Sequence, residues 1–156
     1  MKSTIEEFYR AFQDLDAERM AACYHPDIVF EDPGFGVLKG KQASNMWRML
    51  CANQKGKDFQ VSYYKVHYAD GKGSAHWEAR YNFSQTGRRV HNIIQAEFKF
   101  EGDKIIDHRD HFDLYRWSRQ ALGTTGWLIG WTPFFRKKLQ SQTHRLLEKF
   151  ATKLES

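Results

Sequence analysis

The stretch Lys104-Ile-Ile-Asp-His-Arg-Asp-His-Phe-Asp-Leu-Tyr-Arg-Trp117 has the alternation that is typical of a β-strand. Successive side chains of a strand point to opposite faces of the sheet. One face of this strand is predicted to carry Ile106, His108, Asp110, Phe112 and Leu114. Most of that face is apolar and is predicted to be buried, yet it holds an imidazole and a carboxylate. An ionised carboxylate removed from water is costly unless it is paired, hydrogen-bonded or neutralised, so Asp110 is the first candidate functional residue.

Three further strands are predicted before this one, at about 59–69, 74–85 and 89–101. The turns between them are short, so neighbouring strands are predicted to pair antiparallel. The second strand has the clearest alternation, with Trp77, Ala79, Tyr81 and Phe83 on one face. The third places Asn92, Ile94, Ala96, Phe98 and Phe100 on one face.

Helical spacing of apolar residues precedes the strands, over residues 4–15, 16–24 and 40–52. Between the second and third helices, a short strand at 28–31 ends in the turn Asp32-Pro-Gly-Phe-Gly36. Helices followed by strands predict an α+β fold, in which a curved antiparallel sheet packs on the N-terminal helices. Residues 1–117 are expected to form this domain.

Residues 118–156 have a different character. The pattern predicts an apolar, glycine-punctuated loop at 123–135 and then an extra basic amphipathic helix. The stripe of this helix is predicted to contain Leu139, Leu146, Leu147, Phe150 and Leu154. We expect the segment to belong to the same domain or to a dimer, with the helix docked on either. A lid over a pocket and contact with a membrane surface are the alternatives.

Composition narrows the classes of partner. The net charge is +5, but the surplus lies late in the chain and accompanies no nucleic-acid-binding motif, so no nucleic acid is expected. Cys23 and Cys51 form no C-x-x-C motif, and no signal peptide is visible, which favours a reducing, cytoplasmic location. His108 and His111 are predicted on opposite faces, so we expect no metal, and no motif suggests a cofactor.

The order of elements resembles the nuclear transport factor 2-like superfamily, which includes ketosteroid isomerases, limonene epoxide hydrolases and SnoaL-like cyclases. The resemblance covers residues 4–117. It is carried by His25-Pro-Asp-Ile-Val-Phe-Glu-Asp-Pro33, Gly87-Arg-Arg-Val90 and Gly102-Asp-Lys-Ile-Ile-Asp-His-Arg-Asp-His-Phe-Asp113. It implies an α+β cone with a pocket between the inner sheet face and the helices, and a homodimer through the outer sheet face.

Two catalytic patterns of the superfamily transfer only in part. Asp32 lies where ketosteroid isomerases keep their general base, but their two oxyanion donors fall at Phe8 and Ala96. The epoxide hydrolases use an Asp-Arg-Asp set, of which one Asp matches Asp110. The Arg and the other Asp fall at Trp77 and Ala79.

These residues predict a SnoaL-like cone that binds a small hydrophobic molecule in a central pocket. The candidate catalytic residues are Asp32, Asp110 and His108. The candidate ligand-binding residues are Trp77, Tyr81, Asn92, Ile94 and Phe112. Two functions stay open: a cofactor-independent isomerase, hydrolase or cyclase that uses the two Asp residues as acid and base, and a non-catalytic binding or interaction module. A purely structural role is open for each of these residues: Asp110 and His108 would then hydrogen-bond each other or the backbone at the pocket mouth, and Asp32 would cap its own turn.

Overall fold

A computed structural model describes residues 1–156. The helices are α1 (Lys2–Gln13), α2 (Ala17–Ala22), α3 (Lys41–Gln54), α4 (Leu114–Leu122), α5 (Thr124–Ile129) and α6 (Pro133–Glu155). The strands are β1 (Tyr24–Asp32), β2 (Gly36–Lys39), β3 (Gln60–Ala69), β4 (Lys72–Asn82), β5 (Arg89–Glu101) and β6 (Lys104–His111). The strands form one sheet in the order β2-β1-β6-β5-β4-β3.

The core lies between the inner face of the sheet and the first three helices. Helix α1 packs on β3 and β4, and α3 packs on β1 and β2. The α1 face at Ile5, Phe8, Tyr9 and Phe12 is buried, as the helical spacing predicts. The alternation of β4 and β5 is likewise confirmed, because their inward apolar residues join the same core. The predicted α+β class is confirmed.

One pairing of the sheet is not antiparallel. Strand β1 pairs parallel with β6, and Phe30 lies opposite His108. Strand β1 also begins at Tyr24, earlier than predicted, and pairs antiparallel with β2, which the sequence pattern did not reveal. The sheet is therefore mixed, and the turn that follows Asp32 is the loop of a β1–β2 hairpin.

The last strand is shorter than predicted and contains a bulge. Lys99 pairs with Asp107 and Phe100 with Ile105, which leaves Ile106 without a partner in the register. Ile105 is therefore the buried residue, and the predicted inward position of Ile106 is wrong. The strand ends at His111, so its predicted extension to Trp117 is also wrong. Asp113 instead caps α4, because its side chain accepts a hydrogen bond from the Arg116 N–H.

The tail is helical throughout most of its length. Helix α5 occupies part of the predicted loop at 123–135, so that prediction is wrong. Helix α6 begins at Pro133 behind the N-cap Thr132, whose hydroxyl accepts from the Phe135 N–H at 3.1 Å. It packs against α3. Its buried and half-buried face follows helical spacing through Phe135, Leu139, Thr143, Leu147 and Phe150. Leu146 and Leu154 are exposed, contrary to the predicted stripe.

No helix in the chain has the length and apolar character needed to span a membrane.

Candidate functional site

The parallel pairing of β1 with β6 brings the two candidate acids together. Phe30 lies opposite His108, and both point into the core. Because inward positions recur every two residues along each strand, the next inward positions are Asp32 on β1 and Asp110 on β6. Asp110 in turn pairs with Ala96 of β5. Two carboxylates thus occupy neighbouring strands on one face of the sheet.

His108 and Asp110 lie deep beneath this face. His108 is fully buried and Asp110 is 3% exposed. His108 Nε2 and Asp110 Oδ1 are 2.9 Å apart, and Trp77 Nε1 donates to the same carboxylate oxygen at 3.3 Å. On its other side, His108 Nδ1 lies 2.7 Å from the Tyr24 hydroxyl, which accepts from Trp47 Nε1 at 2.8 Å.

The order of donors in this buried network assigns the imidazole tautomer. An indole N–H can only donate, so the Tyr24 oxygen accepts from Trp47 and its hydroxyl hydrogen is free to donate. The acceptor for that hydrogen is His108 Nδ1. His108 Nε2 therefore carries the ring hydrogen and donates it to Asp110. Every polar atom of the Trp47–Tyr24–His108 chain has a partner, so this network is internally satisfied.

Aromatic rings enclose the network. Trp47 stacks on the His108 ring at 6.2 Å between centroids, and the Phe98 ring lies at 4.5 Å. Phe8 and Phe30 contact the imidazole edge-on from other directions. The deep part of the cone is therefore filled by side chains, and neither nitrogen of the imidazole faces solvent. Sequence reasoning placed His108 correctly on the inner face but did not identify Tyr24 or Trp47 as its partners.

Asp32 has a different environment from Asp110. It ends β1, is only half-buried, and its Oδ1 accepts from the Phe35 N–H at 2.6 Å across the hairpin turn. Burial raises the pKa of Asp32 to about 7, against the lowering effect of the Phe35 N–H, and the negative charge of Asp110 raises it further. Asp32 therefore exchanges a proton near neutral pH, while it also caps its own turn.

Helix α6 holds this turn from outside the cone. Gln140 Nε2 donates to the Pro33 carbonyl at 3.1 Å, and the Thr143 hydroxyl donates to the Gly34 carbonyl at 3.0 Å. His144 Nε2 lies 2.5 Å from the Phe35 carbonyl oxygen. Three consecutive carbonyls of the turn are thus bound by one helix face, which fixes the backbone beside Asp32. The sequence contained no signal for this contact, because the partners are more than 100 residues apart.

The predicted ligand-binding residues divide into two groups. Trp77 and Ile94 are buried, and Trp77 is engaged with Asp110. Tyr81, Asn92 and Phe112 are half-buried. This second group, together with Asp32, is the reachable part of the predicted set, and we call these four residues the cone mouth.

Tyr81 at the cone mouth is held by a residue that the sequence pattern assigned to a strand. Trp117 Nε1, on α4, donates to the Tyr81 hydroxyl at 2.8 Å. Burial raises the pKa of Tyr81, against the lowering effect of the Trp117 hydrogen bond, and the charge of Asp32 raises it further. The hydroxyl of Tyr81 is therefore neutral at physiological pH and retains its hydrogen for donation.

Tyr9 is a further polar residue inside the cone. Its ring stacks on Tyr63 at 5.5 Å and lies beside Trp77. Its hydroxyl is the one buried side-chain polar atom without a hydrogen-bond partner. Burial raises the pKa of Tyr9 well above its ordinary value, and the charge of Asp110 raises it further, so this hydroxyl is neutral. On β3, Tyr63 lies on the inner face against Tyr9, whereas Tyr64 lies on the outer face and donates to Glu78.

The outer face of the sheet is polar and largely paired within the chain. Glu78 accepts from the Tyr64 hydroxyl at 2.8 Å and lies 2.5 Å from His91 Nε2. Arg109 bridges Glu31 and Asp107. A shallow groove of about 330 Å³ runs across this face, away from the cone mouth. Among the His, Cys, Asp and Glu side chains, no group of three or more is arranged to hold a metal ion.

The chain is similar in sequence and in structure to several known proteins. A family model described as a SnoaL-like domain matches residues 5–108. Epoxide hydrolase EphG of Mycobacterium tuberculosis is 27% identical over 113 residues, which cover 71% of this chain and 72% of that protein. A solved LEH-like epoxide hydrolase of M. tuberculosis superposes with a TM-score of 0.61 at 21% identity, over 77% of this chain and 87% of that chain. A putative polyketide cyclase from Xanthomonas campestris pv. campestris superposes with a TM-score of 0.60 at 15% identity, over 76% and 93% of the two chains.

Proposed function

The chain belongs to the SnoaL-like domain family, and from this premise we propose that it binds a small, largely apolar molecule at its cone mouth and transfers a proton through Asp32. The reaction classes that fit are isomerisation, hydrolysis and cyclisation without a cofactor. Relatives named as an epoxide hydrolase and a putative polyketide cyclase support these classes.

The observation that carries the proposal is the position of Asp32, an inward acid at the half-buried end of β1, on the strand that neighbours the inward Asp110. A general acid or base is most effective when its pKa lies near the operating pH. The pKa of Asp32 is about 7, and the residue as a whole is half-buried, whereas Asp110 is 3% exposed. A carboxyl of ordinary pKa is fully ionised at neutral pH and can serve only as a base. Asp32 is present in both forms, so it can take a proton from one atom of a ligand and return it to another.

The remaining cone-mouth residues supply shape and hydrogen bonds. Phe112 gives an apolar wall, and the Asn92 amide offers both a donor and an acceptor. The Tyr81 hydroxyl accepts from Trp117 and so directs its own hydrogen away from that indole. This combination of one titratable acid, one amide and one phenol among aromatic rings suits a small hydrophobic molecule with few polar atoms.

Asp110 and His108 act in this proposal through Asp32, without touching the ligand. Both are closed in by aromatic rings, so they are positioning residues. The hydrogen bonds from His108 and Trp77 fix the position of the Asp110 side chain. That charge adds to burial in raising the pKa of Asp32. The sequence-based assignment of all three as acid–base catalysts is thus narrowed to Asp32.

The test is a turnover screen with ketosteroids, epoxides and polyketide-like substrates, followed by pH profiles of kcat/KM. Asp32→Asn is expected to lower kcat by roughly 100-fold or more, the usual contribution of a general acid or base. Asp110→Asn removes the neighbouring charge and is expected to move the inflection near pH 7 to lower pH. Asp27→Asn, at an exposed position of β1, is the matched control and should leave the rate unchanged.

The alternative is a non-catalytic module on the same fold. The filled interior and the satisfied network around His108 favour this alternative, because both are expected of a core that only stabilises the fold. No turnover in the screen, together with ligand binding that is equal for wild type and Asp32→Asn between pH 5 and pH 9, would decide for the module.

The homodimer through the outer sheet face belongs to the same proposal. Ile93 is an exposed apolar residue of β5, and a two-fold axis that passes near it would place it against its own copy. Ile93→Glu is expected to halve the mass measured by light scattering.

We also propose a reducing, cytoplasmic location. The free, buried thiols of Cys23 and Cys51 support this proposal, because thiols stay reduced in that compartment.

A further inference from the structure

A cluster of exposed aromatic and aliphatic side chains lies where α5 meets α6. Trp127 is 57% exposed, Leu128 69%, Trp131 67% and Phe134 70%. We call these four residues the α5–α6 corner. Single exposed apolar side chains are ordinary, but four large ones within eight residues form a patch that marks an interaction site.

The packing of α5 explains why this corner faces outward. Gly126 and Gly130 lie against α4 so closely that a Cβ on either would overlap Ser118. The glycine face of α5 is therefore the buried one, and the large side chains are left on the other side. Arg119 reinforces this arrangement, because its guanidinium lies 4.7 Å from the centre of the Trp127 ring.

The segment that carries the corner is basic and contains no acidic residue. Between residues 114 and 147 the sequence contains no Asp or Glu. The same segment contains Arg116, Arg119, Arg136, Lys137, Lys138 and Arg145. On α6, helical spacing aligns Phe134 with Lys138 and Arg145, on the side opposite the buried face. The apolar corner is thus continuous with a positive helix face.

We propose that the α5–α6 corner docks on the surface of an anionic phospholipid bilayer. Trp side chains favour the boundary between headgroups and acyl chains, where Leu and Phe also bury apolar area. Lys and Arg beside them are attracted to anionic headgroups. A second copy of this chain is a poorer occupant, since an isologous contact would bring two acid-free basic segments against each other. The cone mouth is not needed for this contact, so the inference is independent of the proposed chemistry.

The experiment is sedimentation of the full chain with vesicles of phosphatidylcholine, with and without roughly one third phosphatidylglycerol. Binding is expected only to the anionic vesicles and should weaken as salt is raised. Trp131→Ser with Phe134→Ser is expected to weaken binding by about tenfold or more, from the apolar area lost. Lys137→Gln with Lys138→Gln is expected to weaken it about 25-fold, roughly fivefold for each charge near the surface.

Matched controls lie elsewhere on the surface. Val37→Ser removes an exposed apolar side chain of β2, and Lys55→Gln with Lys57→Gln removes two exposed charges after α3. Both should bind like wild type. The proposal is overturned if the chain ignores anionic vesicles, if it binds neutral vesicles equally, or if the corner variants bind unchanged. It is also overturned if those variants dissociate an oligomer while vesicle binding stays at the wild-type level.

Discussion

Replacing Tyr24 by Phe tests whether the buried network stabilises the fold as its geometry implies. The Tyr24 hydroxyl stands between two partners, accepting from Trp47 Nε1 at 2.8 Å and meeting His108 Nδ1 at 2.7 Å. Phe has the same ring and fits the same space. The substitution therefore leaves two buried polar groups without partners and changes little else.

The expected loss follows from those two groups. Each buried donor or acceptor left unsatisfied costs about 1–3 kcal/mol. Tyr24→Phe should accordingly lower the free energy of unfolding by about 2–6 kcal/mol. For a domain of this length, 1 kcal/mol corresponds to roughly 2–4 °C, so Tm should fall by roughly 4–24 °C.

Tyr9→Phe is the matched control from the same core. Tyr9 is also buried among aromatic rings, but its hydroxyl has no partner. Removing it breaks no hydrogen bond and spares the desolvation of a hydroxyl, so the change should lie within about 0.5 kcal/mol or be stabilising. Urea unfolding followed by far-UV circular dichroism compares the two variants at equal m-values. Equal losses for both variants, or a Tyr24→Phe variant as stable as wild type, would refute the assigned network.

Two further predictions concern Asp32 and the α4–α5 packing. The folded pKa of Asp32, about 7, exceeds its ordinary value of 3.8, so the stability this group contributes is complete below about pH 4 and is lost as pH rises to about 7. Asp32→Asn should therefore stabilise the protein at pH 8 by on the order of 2–4 kcal/mol and much less at pH 4. Urea unfolding of wild type and variant at both pH values measures this difference. Unfolding midpoints that depend on pH in the same way for both proteins would contradict the prediction. Gly126→Ala should lower the free energy of unfolding by about 1–3 kcal/mol, because its Cβ would overlap Ser118, whereas Thr125→Ala at an exposed position of α5 should not.

Much of the fold could be predicted because its signals are local. The alternation along β4 and β5 and the spacing on α1 each concern residues a few positions apart, and the structure confirms them. The inward positions of His108 and Asp110 were predicted from the same kind of pattern. These two predicted positions are correct despite the bulge at Ile106. The bulge precedes both residues in the strand, and the residues after it alternate regularly between the two faces.

The partners of those residues could not be predicted, because they depend on pairings between distant parts of the chain. Tyr24 is 84 residues from His108, and its position follows from the parallel pairing of β1 with β6. No feature of a single strand distinguishes a parallel neighbour from an antiparallel one. How deeply His108 and Asp110 are buried could not be predicted either, since it depends on how many aromatic rings from α1 and α3 reach the inner face.

The two inward acids show how that depth separates their roles. Asp110 and Asp32 occupy adjacent strands and the same face, and the charge of Asp110 adds to burial in raising the pKa of Asp32. Asp110 accepts hydrogen bonds from His108 and Trp77 deep in the core, while Asp32 accepts one backbone hydrogen bond and is only half-buried. The network therefore fixes the Asp110 carboxylate in the position from which its charge acts on Asp32. The acidity of Asp32 at the cone mouth is thus set partly by residues that no ligand can reach.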